Sequence, residues 1–133
     1  MSTLHHAIRI AASRPRIFRA LTNADELSLW HLGEIEGSVA TGATLTLTPR
    51  PGLTFTWRTD SVEADRMVVQ TCIHGAGSSE GKRLTIQLSD DSDGLTTVKL
   101  SDGEWLDSDP HLAFCNTHWG DALNRLKHYL EQQ

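Results

Sequence analysis

The segment HLAFCNTHWGDALNRLKHYLEQQ (111–133) decides what the rest of the chain has to do. Leu112, Trp119, Leu123, Leu126 and Leu130 recur at helical spacing, which predicts one long amphipathic helix with an apolar stripe. A stripe of that kind is stable only when another element covers it. The first half of the segment is chemically denser than the second. His111, Cys115 and His118 stand among Phe114 and Trp119, whereas the residues from Asp121 onward read as ordinary helix.

The cover lies upstream. From residue 34 to about 102 the apolar period is two: EIEGSVA, TLTLTP, LTFTWRT, RMVVQTCIH, KRLTIQLS and LTTVKL each read as a strand. In LTFTWRT, Leu53, Phe55 and Trp57 share one face, and Thr54, Thr56 and Arg58 share the other. The joints ATGA, PRPG, GAGSSEG and DDSDG are turn-like and short, so successive strands run antiparallel. Before them, HAIRIAA is a further half-buried strand. Ser13 and Pro15 then open a short helix carrying Ile17, Phe18 and Leu21, and Asn23 or Asp25 caps a second that carries Leu27 and Trp30. The expected order is strand, two short helices, six strands, long helix. The predicted fold is therefore α+β, a curved antiparallel sheet wrapped around the C-terminal helix, as one domain over residues 1–133. One helix does not fill a strongly curved sheet everywhere, and a cavity is expected between them.

Composition removes several functions. The chain has 133 residues with a net charge of −5, and its 12 basic residues are scattered rather than striped, which argues against nucleic acid. No apolar run approaches the ~20 residues of a membrane span, and the N-terminus lacks a signal-peptide core. Two cysteines do not make a disulfide framework. A soluble, cytoplasmic protein is expected, with no cofactor motif such as a glycine-rich phosphate loop.

The stretch IRIAASRPRIFRALTNADELSLW (8–30) resembles the opening of helix-grip, or START-like, proteins. It is most similar to the branch named after activators of the 90-kDa heat-shock chaperone's ATPase. GATLTLT, LTFTWR and DDSDGLTTVKL look like strands of that branch, and HWGDALNRLKHYLEQQ is similar to its final helix. The resemblance covers nearly the whole chain. It departs in the loop HGAGSSEGKRL, where relatives often carry a Trp before the next strand. The resemblance implies a scaffold used for lipid and polyketide binding, for cyclisation and for protein partnership; fold alone does not choose among these.

Cys115 and His118 are neighbours on a helix, and Cys72 or His74 from a strand is a conceivable complement for zinc. No Cys-x-x-Cys or His-Glu-x-x-His unit accompanies them, and no metal is expected. The expectation is instead a hydrophobic or aromatic small molecule held between sheet and helix. Its lining is read as Trp57, Cys72, His74, Phe114, Cys115, His118 and Trp119, with Trp30 and Trp105 nearer the rim. His74 and His118 supply the polar points. Trp105, in the polar stretch SDGEWLDSDP, reads as a lid or a surface anchor. Two alternatives from other classes stand beside this one: a module that modulates a chaperone ATPase, and a cyclase- or dehydratase-type enzyme using a cavity His.

Overall fold

Among the described residues, seven strands and three helices follow one another in the order the periodicity predicts. The computed structural model describes residues 1–132. Strand β1 (Ser2–Ile10) leads into α1 (Arg14–Thr22) and α2 (Ala24–Trp30). Strands β2 (Glu34–Gly37), β3 (Thr44–Arg50), β4 (Leu53–Glu63), β5 (Met67–His74), β6 (Arg83–Asp90) and β7 (Thr96–Trp105) come next, and α3 (His111–Glu131) closes the fold. The strands form one antiparallel sheet in the order β1-β7-β6-β5-β4-β3-β2. The meander runs from β2 to β7, and β1 returns to pair with β7.

Local chemistry accounts for the helix boundaries. The Ser13 hydroxyl accepts the Arg16 N–H at 3.3 Å, and a proline occupies the first turn of α1. Asn23 serves two helices: its backbone N–H bonds the last turn of α1, and its side chain accepts the Glu26 N–H at 3.0 Å to start α2. After α2 the chain turns at Gly33, where φ is +77° and a Cβ would lie 1.9 Å from the Thr48 carbonyl oxygen. Only glycine fits so close to the neighbouring strand.

The core lies between the sheet's inner face and the two helical layers. Ile10, Ile17, Leu45, Trp57, Leu84, Val98, Leu100, Trp119, Leu123, Leu126 and Leu130 form one cluster. Each fully buried Leu of that stripe contributes on the order of 1.5–3 kcal/mol.

Strand β7 differs from the sequence reading. Its pattern was expected to end at Leu100, leaving residues 101–110 as a polar loop. The strand instead runs to Trp105, because β1 and β6 pair with it on both sides: Asp102 opposes Leu4 and Leu84. The inward alternation Thr96, Val98, Leu100 therefore continues to Asp102, a carboxylate in a core position. Trp105 is 1% exposed, the buried end of a strand rather than a surface anchor.

Candidate functional site

The apolar stripe of α3 covers the sheet from Trp119 onward, with Ala122, Leu123, Leu126 and Leu130 buried. Between the preceding turns of α3 and the ends of β3, β4 and β7, a cavity of about 340 Å³ remains. That size suits a small organic molecule. One wall is built by alternation along β4, which points Leu53, Phe55 and Trp57 inward, with Leu47 of β3 beside them. The opposite wall is α3, contributing His111, Phe114, Cys115, His118 and Trp119. Asp102 and Trp105 close it from β7. Phe114 is 75% exposed and marks the mouth, where the exposed Arg50 also stands.

Aromatic rings dominate the wall. Trp57 and Trp119 are 6.1 Å apart centre to centre, and His118 stands edge-on to Trp119 at 5.0 Å. His31 follows at 5.8 Å from His118, and Trp30 lies behind it at 5.7 Å. The Lys82 ammonium sits 4.9 Å over the Trp105 ring, a cation–π contact on the wall itself.

Polar side chains stand among these rings, with Asp102, His31, His118 and Lys82 in the same wall. Asp102 is 2% exposed, and its Oδ2 accepts the Trp119 indole N–H at 2.9 Å. Burial raises the Asp102 pKa above its ordinary value, opposed in part by the Trp119 N–H, by Trp105 and by the Lys82 charge. His31 is 9% exposed, and its Nδ1 lies 2.9 Å from the Leu32 carbonyl oxygen. A carbonyl only accepts, so Nδ1 carries the proton and Nε2 is left as a lone pair. Burial lowers the pKa of His31, and burial together with the neighbouring His31 lowers that of His118. Burial also pushes the Cys115 thiol up to about 11, which keeps it protonated and a poor nucleophile at neutral pH. The Trp105 indole N–H also points toward the Asp102 carboxyl and favours its ionised form.

Of the residues read from the sequence, Trp57, Trp105, Phe114, Cys115, His118 and Trp119 line the cavity. Three others lie elsewhere. Trp30 is buried in the core with its indole N–H donated to the Ala20 carbonyl at 2.9 Å, so it is not at the rim. Cys72 is fully buried behind the wall, its Sγ 3.3 Å from the His74 carbonyl oxygen, and burial raises its pKa to about 11. His74 turns outward, 67% exposed and 3.8 Å from Glu80. Strict alternation would put His74 inward with Cys72. The register does not allow it: Trp57 opposes Cys72 while Thr56 opposes His74, so Ile73 is an extra residue. A bulge of that kind re-aims the side chain after it.

The loop between β5 and β6 closes one side of the mouth. Ser78 donates to Asp109, whose carboxylate also accepts the His111 N–H at 2.9 Å and so caps α3. Gly77 has φ +59°, and a Cβ there would fall 2.1 Å from His111 Nε2. The glycine-rich sequence of this loop is what lets it lie against the helix start. His31 and Asp102 escaped the sequence reading altogether. His31 follows a short helix and looks like a linker; Asp102 sits in a polar run. The available signal for Asp102 was its place two residues beyond Leu100 in an alternating strand. Among the described residues, no group of three or more His, Cys, Asp or Glu side chains is placed to hold a metal ion.

A curved sheet gripping a long C-terminal helix over a cavity with an aromatic wall defines a helix-grip protein of the α+β class. The chain belongs to the family of activator of Hsp90 ATPase homolog 1-like proteins, whose model matches residues 11–131. No curated protein sequence matches it significantly. Among solved structures, it is similar to the Aha1 dimer from Colwellia psychrerythraea, with 28% identity and a TM-score of 0.89 over 98% of this chain and 97% of that one. An HSP90 activator from Plasmodium falciparum shares the fold at 14% identity, TM-score 0.81, over 98% and 97% of the two chains. DynU16, a protein in the dynemicin biosynthetic locus, does so at 20% identity, TM-score 0.83, over 98% of this chain and 48% of that one. Among the described residues, no helix is long and apolar enough to cross a membrane.

Proposed function

We propose that this chain is a cytoplasmic binding protein for an apolar or aromatic small molecule, held between β4, β7 and the first turns of α3. The observation that carries this reading is the 340 Å³ cavity, whose surface is mainly apolar and includes Phe55, Trp57, Trp105, Phe114 and Trp119. Sites of this composition bind by apolar burial and orient their ligand through a small number of polar contacts. The polar residues of the wall include His118, His31, Asp102 and Lys82. Both histidines are neutral at pH 7, since burial lowers their pKa values, so they offer hydrogen bonds rather than charge.

Titration with 1-anilinonaphthalene-8-sulfonate, followed by tryptophan fluorescence, tests the reading. Saturable binding with quenching is expected, because Trp57, Trp105 and Trp119 all line the cavity. Replacing Cys115 with Trp, which fills the space from the helix side, is expected to abolish it. Equal binding by this variant overturns the cavity as the site.

A second reading, modulation of a chaperone ATPase, is favoured by Phe114, a large apolar side chain left 75% exposed on α3. Partner surfaces use such rings as anchors. Addition of the protein to an Hsp90-type chaperone is then expected to change its ATPase rate, and Phe114→Ser to remove the change. No effect of the unmodified protein rules this reading out.

A further inference from the structure

The charges around the cavity do not match those of the chain. The protein is acidic, with 17 acidic and 12 basic residues, yet two cations line the cavity, Lys82 and Arg50, against one carboxylate, Asp102. Away from it, Arg9, Arg14, Arg58, Arg125 and Lys127 each stand 2.8 or 2.9 Å from a carboxylate oxygen. Among the described residues, neither Lys82 nor Arg50 forms an ion pair. Arg66, Arg83 and Lys99 are unpaired as well, but none of them lines this cavity. Arg50 is exposed at the mouth, and Lys82 is half-buried with an ammonium that keeps accessible surface.

Lys82 is the better placed of the two cations. Its ammonium lies 4.9 Å over the Trp105 ring, which holds the charge beside the apolar wall. Its field reaches Asp102, Asp109 and Cys115, so it stands between the end of β7 and the first turns of α3. The carboxylates around it are engaged by other groups. Asp102 accepts the Trp119 indole N–H at 2.9 Å, Asp109 accepts from Ser78 and from the His111 N–H, and Glu80 stands 3.8 Å from His74. The ammonium thus has three N–H donors and, among the described residues, no acceptor. A cationic ligand is disfavoured here, because Lys82 already occupies a face of Trp105. A dianion gains from Lys82 but is repelled by both Asp102 and Asp109. A single negative charge on a compact head fits this balance.

Resting on the cavity reading above, we propose that Lys82 is the anion-binding point of this cavity, so that the ligand is an aromatic or other apolar molecule bearing one carboxylate. The carboxylate pairs with the Lys82 ammonium at the mouth, and the apolar body extends inward along Trp105 toward Trp57 and Trp119. Arg50 stands on the other side of the mouth, with β5 and β4 between. There it attracts an incoming anion that a chain of net charge −5 otherwise repels. Binding is the whole of the role; no covalent step is involved.

Isothermal titration calorimetry at neutral pH and low salt, with 2-naphthoate and 2-naphthamide, tests this, because the two probes share a shape and differ in charge. The unmodified protein is expected to prefer 2-naphthoate by about tenfold, the effect of one charge-assisted hydrogen bond. In Lys82→Met, which keeps an unbranched stem over Trp105 and removes the charge, the preference is expected to fall to about twofold or less. Lys82→Arg is expected to restore most of it. Arg50→Gln is expected to lower the preference by about twofold at low salt and to leave it unchanged at high salt. No change in this variant at either salt removes Arg50 from the proposal. Equal affinity, or a preference for the amide, in the unmodified protein overturns the anion-binding point while leaving the cavity reading intact. Binding of neither probe overturns both. An undiminished preference in folded Lys82→Met, or 2-naphthoate binding that survives Cys115→Trp, overturns the assignment of the acid to Lys82 in this cavity.

Discussion

At the C-terminal half of α3, Tyr129 donates its hydroxyl to Glu26 at 2.7 Å, while Arg16 and Arg19 approach the same carboxylate at 2.7 and 2.8 Å. At the N-terminal half, Trp119 donates to Asp102, a carboxylate buried at the cavity wall. Both carboxylates are buried, Glu26 at 7% and Asp102 at 2% exposed. Their environments act on them in opposite directions. Burial pushes Glu26 upward, but Tyr129 and the two guanidiniums outweigh it and hold its pKa below the ordinary value. Burial also pushes Asp102 upward, and there its neighbours do not compensate. The same helix thus closes the fold at one end with a carboxylate paired to two guanidiniums and a tyrosine, and holds at the other a carboxylate whose burial its neighbours do not offset. Natural proteins keep such local costs mainly where a site needs them.

The largest test of this contrast is apolar. Leu126→Ala, at a fully buried position of the closed half, is expected to cost about 2–5 kcal/mol in urea unfolding. Phe114→Ala, at the exposed mouth, is expected to change stability by less than about 0.5 kcal/mol. Comparable losses at the two positions would erase the distinction between closed and open halves.

Next in size is Glu26→Gln, expected to cost about 1–3 kcal/mol at pH 7, because Arg16, Arg19 and Tyr129 lose the charge they share. The folded pKa of Glu26 lies below the ordinary 4.5, so its contribution is fully present above that pH and is lost as the pH falls through the folded value. Unfolding curves of the two proteins are therefore expected to converge under acid. A gap that persists unchanged at low pH would mean the cluster acts through packing rather than charge.

Asp102→Asn has the opposite sign and a smaller size. The folded pKa lies above the ordinary 3.8, so the ionised carboxylate opposes folding at neutral pH. The opposition is relieved as the pH falls through the folded value and is gone below 3.8, where both states are protonated. The substitution is expected to raise stability by up to about 1 kcal/mol at pH 7 and to have no such effect in acid. A clear loss of stability at pH 7 would instead make Asp102 a structural residue.

The smallest effect comes from His31. Its folded pKa is lowered from 6.5, so the unfolded chain takes up the proton first and stability falls as the pH drops below that value. His31→Gln is expected to flatten the thermal-melting profile between about pH 7.5 and 5.5 by a few tenths of a kcal/mol. An identical slope in the variant would assign that pH dependence to other groups.

Much of the architecture was legible in residue order. The apolar stripe Trp119, Leu123, Leu126, Leu130 and the alternation Leu53, Phe55, Trp57 each show their buried faces without reference to any distant residue, because helix and strand periods are local properties. Ser13, Pro15 and Asn23 announce their helix ends for the same reason. The wall was legible where it falls on those periodic faces, as for Phe114, Cys115, His118 and Trp119. It was misread where a strand was irregular or a boundary moved. His74 was turned out by the extra residue Ile73, Trp105 was drawn into β7, and Trp30 found the Ala20 carbonyl in the core.

By itself, then, the order of residues determined a one-faced sheet, a gripping helix and an aromatic lining, since side-chain period and turn chemistry are written within a few neighbouring positions. Only the tertiary structure decided which polar residues come together at the cavity wall. Asp102 comes to face Trp105 and Trp119, and His31 comes to face His118, through pairing of β7 with β1 and β6 and through the closure of α3 over the sheet. Those encounters join residues 17 and 87 positions apart, and no local preference carries information over such separations.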